Sequence, residues 1–121
     1  MTDHRRIRVL WPDHLALPRG KYLPAHLAGL GTRHSMSVFA LTYDRDMVPA
    51  PGTRMLEGFP DMECVIDLAI VRKGWEDGVG VVIGDLEAGG APVAFAPRNV
   101  LKDAVAAWEA LGYTPKIGIE F

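Results

Sequence analysis

The segment at residues 97–111 constrains the fold more than any other part of this sequence. Its apolar residues recur at steps of three or four and so fall on one side of a helix; they are Val100, Leu101, Ala104, Val105, Trp108 and Leu111. Pro97 suits the first turn of a helix, and Gly112 suits the position just past its end. The pattern predicts a long amphipathic helix that covers one face of a sheet, with Trp108 as its deepest anchor.

Short apolar runs bounded by turn residues predict the strands, which lie at residues 7–11, 19–23, 36–42, 63–71, 79–86, 91–95 and 116–121. The first two form an opening hairpin, and Pro24 begins a helix of one or two turns that ends at residue 30. Together these elements predict an α+β fold, a curled mixed sheet of about five to six strands packed on one long amphipathic helix.

Composition and charge exclude several classes of protein. The 121 residues are 49% hydrophobic and 23% charged, which is typical of one soluble domain with its own core. A net charge of −2 gives no basic field for nucleic acid. No apolar run approaches the ~20 residues of a membrane span, and residues 1–20 lack the apolar stretch of a signal peptide. We therefore expect a cytoplasmic domain without a nucleic-acid or membrane partner.

Few residues suggest independent chemistry. Asp61, Glu63 and Asp67 share strand parity and could gather a hard cation, although a solvated strand edge is the commoner origin of such a pattern. Cys64 has apolar neighbours, which favours a buried thiol over a nucleophile. The histidines lack the spacing of a zinc site; they are His4, His14, His26 and His34.

The remaining candidates for a functional site are three glycines and the longest loop. Gly78, Gly80 and Gly84 lie before and within an apolar strand, whereas a phosphate loop places its glycines at the start of a helix. Close backbone packing is therefore the favoured reason for them. Residues 44–60 combine two Asp, three Pro, two Gly and two Arg without an apolar period, which predicts a long loop with a function of its own.

The last forty-odd residues follow a specific order of short motifs. An apolar strand ends in Asp85-Leu86, a helix opens with Pro97-Arg98-Asn99-Val100-Leu101 and ends with Leu111-Gly112-Tyr113, and the chain closes with Lys116-Ile117-Gly118-Ile119-Glu120-Phe121. This order resembles the junction between the two domains of glutamine synthetases and their γ-glutamyl-amine ligase relatives. Arg19-Gly20-Lys21 and Pro60-Asp61-Met62 extend the resemblance more weakly over nearly the whole chain.

The resemblance implies that residues 1–121 are a single N-terminal β-grasp domain and that the C-terminal catalytic domain is absent. Glu120 matches the first glutamate of a Gly-x-Glu-x-Glu pattern that binds catalytic metal ions in the family. The resemblance also implies that the full-length enzyme uses ATP and Mg²⁺ or Mn²⁺ and that the isolated chain binds none of them. It further implies that the chain is inactive by itself and supplies one wall of an intersubunit site and homo-oligomer contacts.

The sequence departs from the family at residues 48–53, where an Asp-Gly-Ser stretch usually supplies an aspartate that handles the ammonium or amine. No acid stands at the matching place, so the amine substrate stays open between ammonia and another amine. The alternative to a ligase domain is a free-standing β-grasp protein-binding module, which would hold its partner on an exposed sheet face.

Overall fold

The opening hairpin predicted from the sequence is present in the computed structural model, which describes residues 4–120. Strands β1 (Arg6–Pro12) and β2 (Pro18–Pro24) pair antiparallel along their whole length. The buried carboxylate of Asp13 holds the turn between them, because Oδ1 accepts the main-chain N–H groups of Leu15 and Leu17 at 2.9 Å each and Oδ2 accepts from Arg19 Nε at 2.7 Å. Local hydrogen bonds thus hold the turn of the hairpin.

The strands form two four-stranded sheets rather than the single curled sheet expected, within the α+β class that the sequence predicts. The first sheet has the order β2-β1-β6-β5 and the second the order β3-β4-β7-β8. Only the β1–β6 pair is parallel among the pairs described. The remaining strands are β3 (Thr32–Ser35), β4 (Asp61–Val65), β5 (Arg72–Lys73), β6 (Val79–Ile83), β7 (Asp85–Ala88) and β8 (Ala91–Pro92).

Gly84 is the single residue between β6 and β7, and the chain passes from one sheet to the other through it. A Cβ atom at this position would lie 2.7 Å from the carbonyl oxygen of Val65 and would also overlap the sulfur of Cys64. A Cβ on Gly80 would lie 2.7 Å from Cγ1 of Val71. Close packing, and not phosphate binding, therefore explains these two glycines.

Both sheets contribute to one hydrophobic core, in which aromatic rings meet edge to face or tilted. Phe39 lies 5.8 Å from Trp11 and 5.0 Å from Phe95 between ring centroids. Cys64 is fully buried in this core, and burial raises the pKa of its thiol to about 11. The prediction of a buried cysteine is confirmed, and the raised pKa disfavours its thiolate form. The other fully or nearly buried apolar residues include Ile7, Val9, Met36, Met62, Val82 and Leu86.

The strand predicted at residues 36–42 is wrong, because Met36–Ala40 forms a 3₁₀ helix. The hydroxyl oxygen of Ser35 accepts the main-chain N–H of Ser37 at 3.2 Å, which starts a helical turn in place of an extended chain. Met36, Phe39 and Ala40 then face the core. The short helix expected after Pro24 is present, as a 3₁₀ helix over Ala25–Leu30.

Three other predicted strands are shorter or missing. The one expected at residues 63–71 ends with β4, because the carboxylate of Asp67 accepts the N–H of Ala69 at 2.8 Å and starts a 3₁₀ helix over Leu68–Ile70. The strand expected at 91–95 reduces to the two residues of β8. Residues 116–120 are irregular, and residue 121 lies outside the described part of the chain.

Helix α1 spans Pro97–Ala110 and confirms the helix predicted from the apolar period. Its predicted burial is wrong, since Asn99 is its only buried residue and Trp108 keeps 54% of its surface exposed. The helix contacts β1 and β7, and its hydrogen bonds to β7 come from Arg98, Asn99 and Lys102 in its first two turns. Trp108 therefore does not anchor the helix in the core.

Candidate functional site

The first turn of α1 is attached to the sheets by hydrogen bonds and one ionic cluster. The side-chain amide of Asn99 donates to the carbonyl oxygens of Leu86 and Val93 at 2.8 and 2.9 Å. Arg98 Nε donates to Asp85 Oδ1 at 2.6 Å, and Lys102 donates to the other carboxylate oxygen. Burial opposes the charge of Asp85, but the hydrogen bonds from Lys102 and Arg98 outweigh it and lower the pKa of this carboxyl. The N-terminal end of the helix is therefore fixed.

An open cleft of about 380 Å³ lies between the tip of the β1–β2 hairpin and this fixed end of α1. Arg98 is its only charged lining residue, and Arg98 already binds Asp85. Without an acid, a base or a nucleophile, the cleft suits an apolar side chain of a partner better than a catalysed reaction. It is lined by Leu10, Trp11, Pro12, Ala16, Pro18, Ile83, Pro97, Arg98 and Leu101.

Beyond the cleft, α1 and the segment that follows it expose a run of large apolar side chains. Leu111 is 73% exposed, and Trp108 packs edge to face on Tyr113 with 5.6 Å between ring centroids. Exposed apolar side chains at helical spacing are typical of interaction sites on soluble proteins. We call this the α1 surface; it consists of Val100, Leu101, Trp108, Leu111, Tyr113, Ile117 and Ile119.

The residues considered as metal ligands do not gather into one site in the described part of the chain. Glu120 is exposed in the irregular segment after α1, and its predicted role as a metal ligand stays a prediction. Asp61 and Glu63 are exposed on β4, where Glu63 binds Arg33 at 3.2 Å, and Asp67 caps the 3₁₀ helix that follows. Residues 4–120 contain no group of three His, Cys, Asp or Glu side chains arranged to hold a metal ion.

The histidines are also dispersed, and the half-buried His34 has the most distinctive environment. Its ring packs edge to face on Trp11 with 5.1 Å between centroids, and its Nε2 lies 2.7 Å from the hydroxyl of Thr32. Burial, assisted by the charge of Lys21, lowers the pKa of His34 to about 4. His34 is therefore a neutral packing residue near pH 7.

The loop predicted at residues 44–60 is present and is ordered by its own contacts. Thr53 is buried and donates its hydroxyl to the carbonyl oxygen of Ala50 at 2.7 Å. Gly52 adopts a φ of +83° against the ring of Phe95, where a side chain would overlap the ring. The loop includes a 3₁₀ turn at Met55–Glu57, and most of its residues, including those of this turn, are exposed to solvent.

No helix among residues 4–120 has both the length and the apolar character needed to cross a membrane. No protein-family model matches the sequence, and no curated protein matches it significantly.

Solved structures of the glutamine synthetase family share the fold. A GmaS/ADP complex is 23% identical, with a TM-score of 0.65 over 90% of this chain and 24% of its own. GmaS without ligand is 24% identical, with a TM-score of 0.66 over 89% of this chain and 24% of its own. A glutamine synthase homolog is 17% identical, with a TM-score of 0.69 over 92% of this chain and 28% of its own. The chain thus spans about a quarter of the length of the structures it resembles.

Proposed function

We propose that this chain is the N-terminal domain of a glutamine synthetase-like, ATP-dependent carboxylate–amine ligase whose catalytic part lies on further polypeptide. One observation carries the proposal: the shared fold accounts for 89–92% of this chain but only 24–28% of the ligase-like structures. The order of motifs between Asp85 and Glu120 supports the same assignment independently of the fold.

In such a ligase, ATP would transfer its γ-phosphoryl group to the γ-carboxylate of glutamate and leave as ADP, and an amine would then displace the phosphate; Mg²⁺ or Mn²⁺ would neutralise the transferring group. The described residues of this chain do not fit ATP or these metals by themselves. Glu120 is a single exposed carboxylate, and one carboxylate does not hold a hard cation at useful affinity. We therefore place nucleotide and metal binding on the catalytic part and expect the isolated chain to be inactive.

This chain contributes contacts at the active site and between subunits. The α1 surface exposes large apolar side chains, and burying such side chains against a partner favours association. We propose that the catalytic part covers this surface, and that the assembled ligase is a cytoplasmic homo-oligomer in nitrogen metabolism. The 44–60 loop, exposed but ordered, supplies part of the wall of the intersubunit site.

The test compares the chain with the catalytic part encoded after residue 121 or on a separate gene of the same genome. ATP-dependent formation of a γ-glutamyl amide from glutamate and a panel of amines is measured for each part and for both together. We expect activity only when both are present, and a loss when Trp108→Asp and Leu111→Asp are introduced together, whereas the exposed Asp103→Ala has no effect. A catalytic part that is fully active without this chain overturns the proposal, as does turnover by the isolated chain that survives repurification and disappears in Glu120→Ala.

A protein-binding module is the second candidate, because the same exposed α1 surface would serve it. It differs in the outcome of the assay, since a module of this kind binds its partner without changing ligase turnover.

A further inference from the structure

The outward side of the first sheet carries a row of side chains that crosses all four strands. Tyr22 of β2 lies opposite Arg8 of β1. Arg8 in turn lies opposite Val81 of β6, and Val81 lies opposite Arg72 of β5. Paired positions project from the same side of a sheet, so these four residues are neighbours on one face. The buried residues of β1 project from the other side, into the core.

An open cleft of about 530 Å³ lies on this face, where the row reaches β6 and β5. Val81 and Ile83 are alternate residues of β6 and give the cleft an apolar side. Trp75, in the turn between β5 and β6, also lines it. The volume lies in the range of roughly 300–1,000 Å³ that is typical of small-ligand sites. We call this the Trp75 cleft; its lining includes Arg72, Trp75, Val81, Ile83 and Arg98.

The indole ring of Trp75 is held in place although most of it is in solvent. The guanidinium of Arg8 lies over the ring, 4.6 Å from its centroid. Glu76 accepts hydrogen bonds from Arg8, at 3.5 Å, and from the Tyr22 hydroxyl, which fixes the guanidinium. The ring stays 70% exposed, so Arg8 leaves room for a second planar group to stack on it. Because the ring is already ordered, a ligand that stacks on it loses little side-chain entropy.

The Trp75 cleft also offers one uncompensated positive charge. Arg72 is exposed and has no carboxylate within 4.0 Å among residues 4–120. Arg98 differs, because its Nε binds Asp85 at 2.6 Å. No Asp or Glu is among the described residues that line the cleft. A guanidinium without a competing carboxylate favours a carboxylate or phosphate group of a ligand, to which it can donate two parallel hydrogen bonds.

We propose that the Trp75 cleft binds a small planar aromatic anion. The ring of this ligand stacks on Trp75 and contacts Val81 and Ile83, while its carboxylate or phosphate group accepts hydrogen bonds from Arg72. An aliphatic anion loses the stacking and a neutral aromatic compound loses the ion pair, so the cleft selects ligands that combine both features. The cleft shares no residue with the α1 surface, and the inference does not depend on the ligase assignment.

The test measures the binding of naphthalene compounds to the full chain by isothermal titration calorimetry. Naphthoate carries a carboxylate, naphthyl phosphate carries a phosphate, and naphthylmethanol carries no charge. We expect at least one of the two anions to bind saturably, and the preferred anion identifies the acidic group of the ligand. Naphthylmethanol should bind at least about fivefold more weakly, as should cyclohexanecarboxylate, an anion without a planar ring. Raising the salt to about 500 mM should weaken the binding of the anions alone.

Variants locate the binding site. Trp75→Ala should weaken binding at least about fivefold by removing the stacking platform, and Trp75→Phe, which keeps a ring, should lie between this variant and wild type. Arg72→Glu should also weaken binding at least about fivefold, because attraction becomes repulsion. Two matched controls lie outside the cleft and should bind like wild type: Trp108→Ala removes an exposed tryptophan, and Arg45→Glu reverses an exposed cation. Circular dichroism spectra that match wild type establish that the variants are folded.

Nuclear magnetic resonance of the isotope-labelled chain gives a direct readout. The indole N–H resonance of Trp75 should shift on titration with the bound anion, whereas that of the buried Trp11 should not. Its failure to shift overturns the proposal, as does the absence of saturable binding of either anion up to about 5 mM.

Three further outcomes overturn the proposal. The first is naphthylmethanol or cyclohexanecarboxylate binding as tightly as the anions of naphthalene. The second is binding that neither Trp75→Ala nor Arg72→Glu weakens. The third is binding that only Trp108→Ala weakens, which would assign the ligand to the α1 surface. All of these measurements are made without ATP and without a catalytic part, so a failure here leaves the ligase proposal as it stands.

Discussion

Asn99 donates a hydrogen bond of 2.8 Å from Nδ2 to the main-chain carbonyl oxygen of Leu86, and this bond joins the first turn of α1 to β7. The second amide proton goes to the carbonyl oxygen of Val93 at 2.9 Å. Each carbonyl oxygen also accepts a main-chain N–H, from Val93 at 2.9 Å and from Ala96 at 3.0 Å respectively, so Asn99 supplies a second hydrogen bond to each. Because Asn99 is the one buried residue of α1, it connects the helix to the core.

Asn99→Ala should lower the free energy of unfolding by about 1–3 kcal/mol, since it removes two buried hydrogen bonds that contribute roughly 0.5–1.5 kcal/mol each. Urea denaturation followed by circular dichroism measures the change. Asp103→Ala, on the exposed side of the same helix, is the matched control and should stay within about 0.5 kcal/mol of wild type. Equal stability of the two variants would show that Asn99 does not attach the helix.

Truncation to alanine should lower the stability strongly at Trp11 and very little at Trp108. Trp11 is 1% exposed and packs against Phe39 and His34, so Trp11→Ala should cost about 3–5 kcal/mol of stability. Trp108 lies on the exposed α1 surface, and Trp108→Ala should change the melting temperature by only a degree or two. Thermal denaturation of the two variants decides this. A strongly destabilised Trp108→Ala chain would mean that α1 packs more deeply than described.

Stability should fall as the pH is lowered from about 7 to 4, because of His34. Its pKa is about 4 in the folded chain, against an ordinary value of 6.5 in the unfolded chain. Within this window the unfolded chain binds the proton and the folded chain does not, so acid favours unfolding. We expect a loss of about 1–2 kcal/mol, reduced from the full shift because water reaches part of the ring. Urea denaturation at several pH values checks it; His34→Gln should flatten this dependence, and the exposed His26→Gln should not.

Asp13→Ala should destabilise the hairpin by about 2–4 kcal/mol, because two main-chain N–H groups and the Arg19 guanidinium lose their acceptor. The exposed Asp44→Ala is the control, with an effect below about 0.5 kcal/mol. Burial raises the pKa of Asp13, but hydrogen bonds from Leu17, Arg19 and Leu15 lower it overall. The stabilisation by Asp13 is therefore present when the pH is above the ordinary pKa of 3.8. It is lost as the pH falls through the lower pKa that Asp13 has in the folded chain. An unchanged stability in Asp13→Ala at neutral pH would contradict this account.

A helix or strand could be predicted from the sequence where its apolar pattern and its boundary residues indicate the same element. The hairpin has apolar runs bounded by prolines, and α1 has a long apolar period with a proline at its start, so both were predicted within a few residues. Residues 36–40 were mistaken for a strand because their composition favours one, whereas a hydrogen bond from Ser37 to the Ser35 side chain decides the structure.

The burial of α1 and the pairing of distant strands could not be predicted in the same way. An apolar period shows that one side of a helix needs covering, but it does not show what covers it; here the sheets reach only Asn99 and its neighbours. The strand register places Tyr22, Arg8 and Arg72 in one row across the first sheet, and residues 6–8 and 72–73 are too far apart in sequence to reveal it. The prediction of a metal ligand at Glu120 depends on groups outside this chain.

The attachment of α1 through one end has a consequence for how the chain opens. A helix of 14 residues is marginal in water without packing, so its later turns should unwind while both sheets stay folded. Amide protons near Trp108 should therefore exchange with solvent far faster than those of Val9 or Met62, whose exposure requires unfolding of the whole domain. A partner bound along the helix would slow the exchange of the amide protons near Trp108 and leave the exchange of those of Val9 and Met62 almost unchanged. The helix thus acts as a separate cooperative unit whose exchange rate reports directly on whether its partner is present.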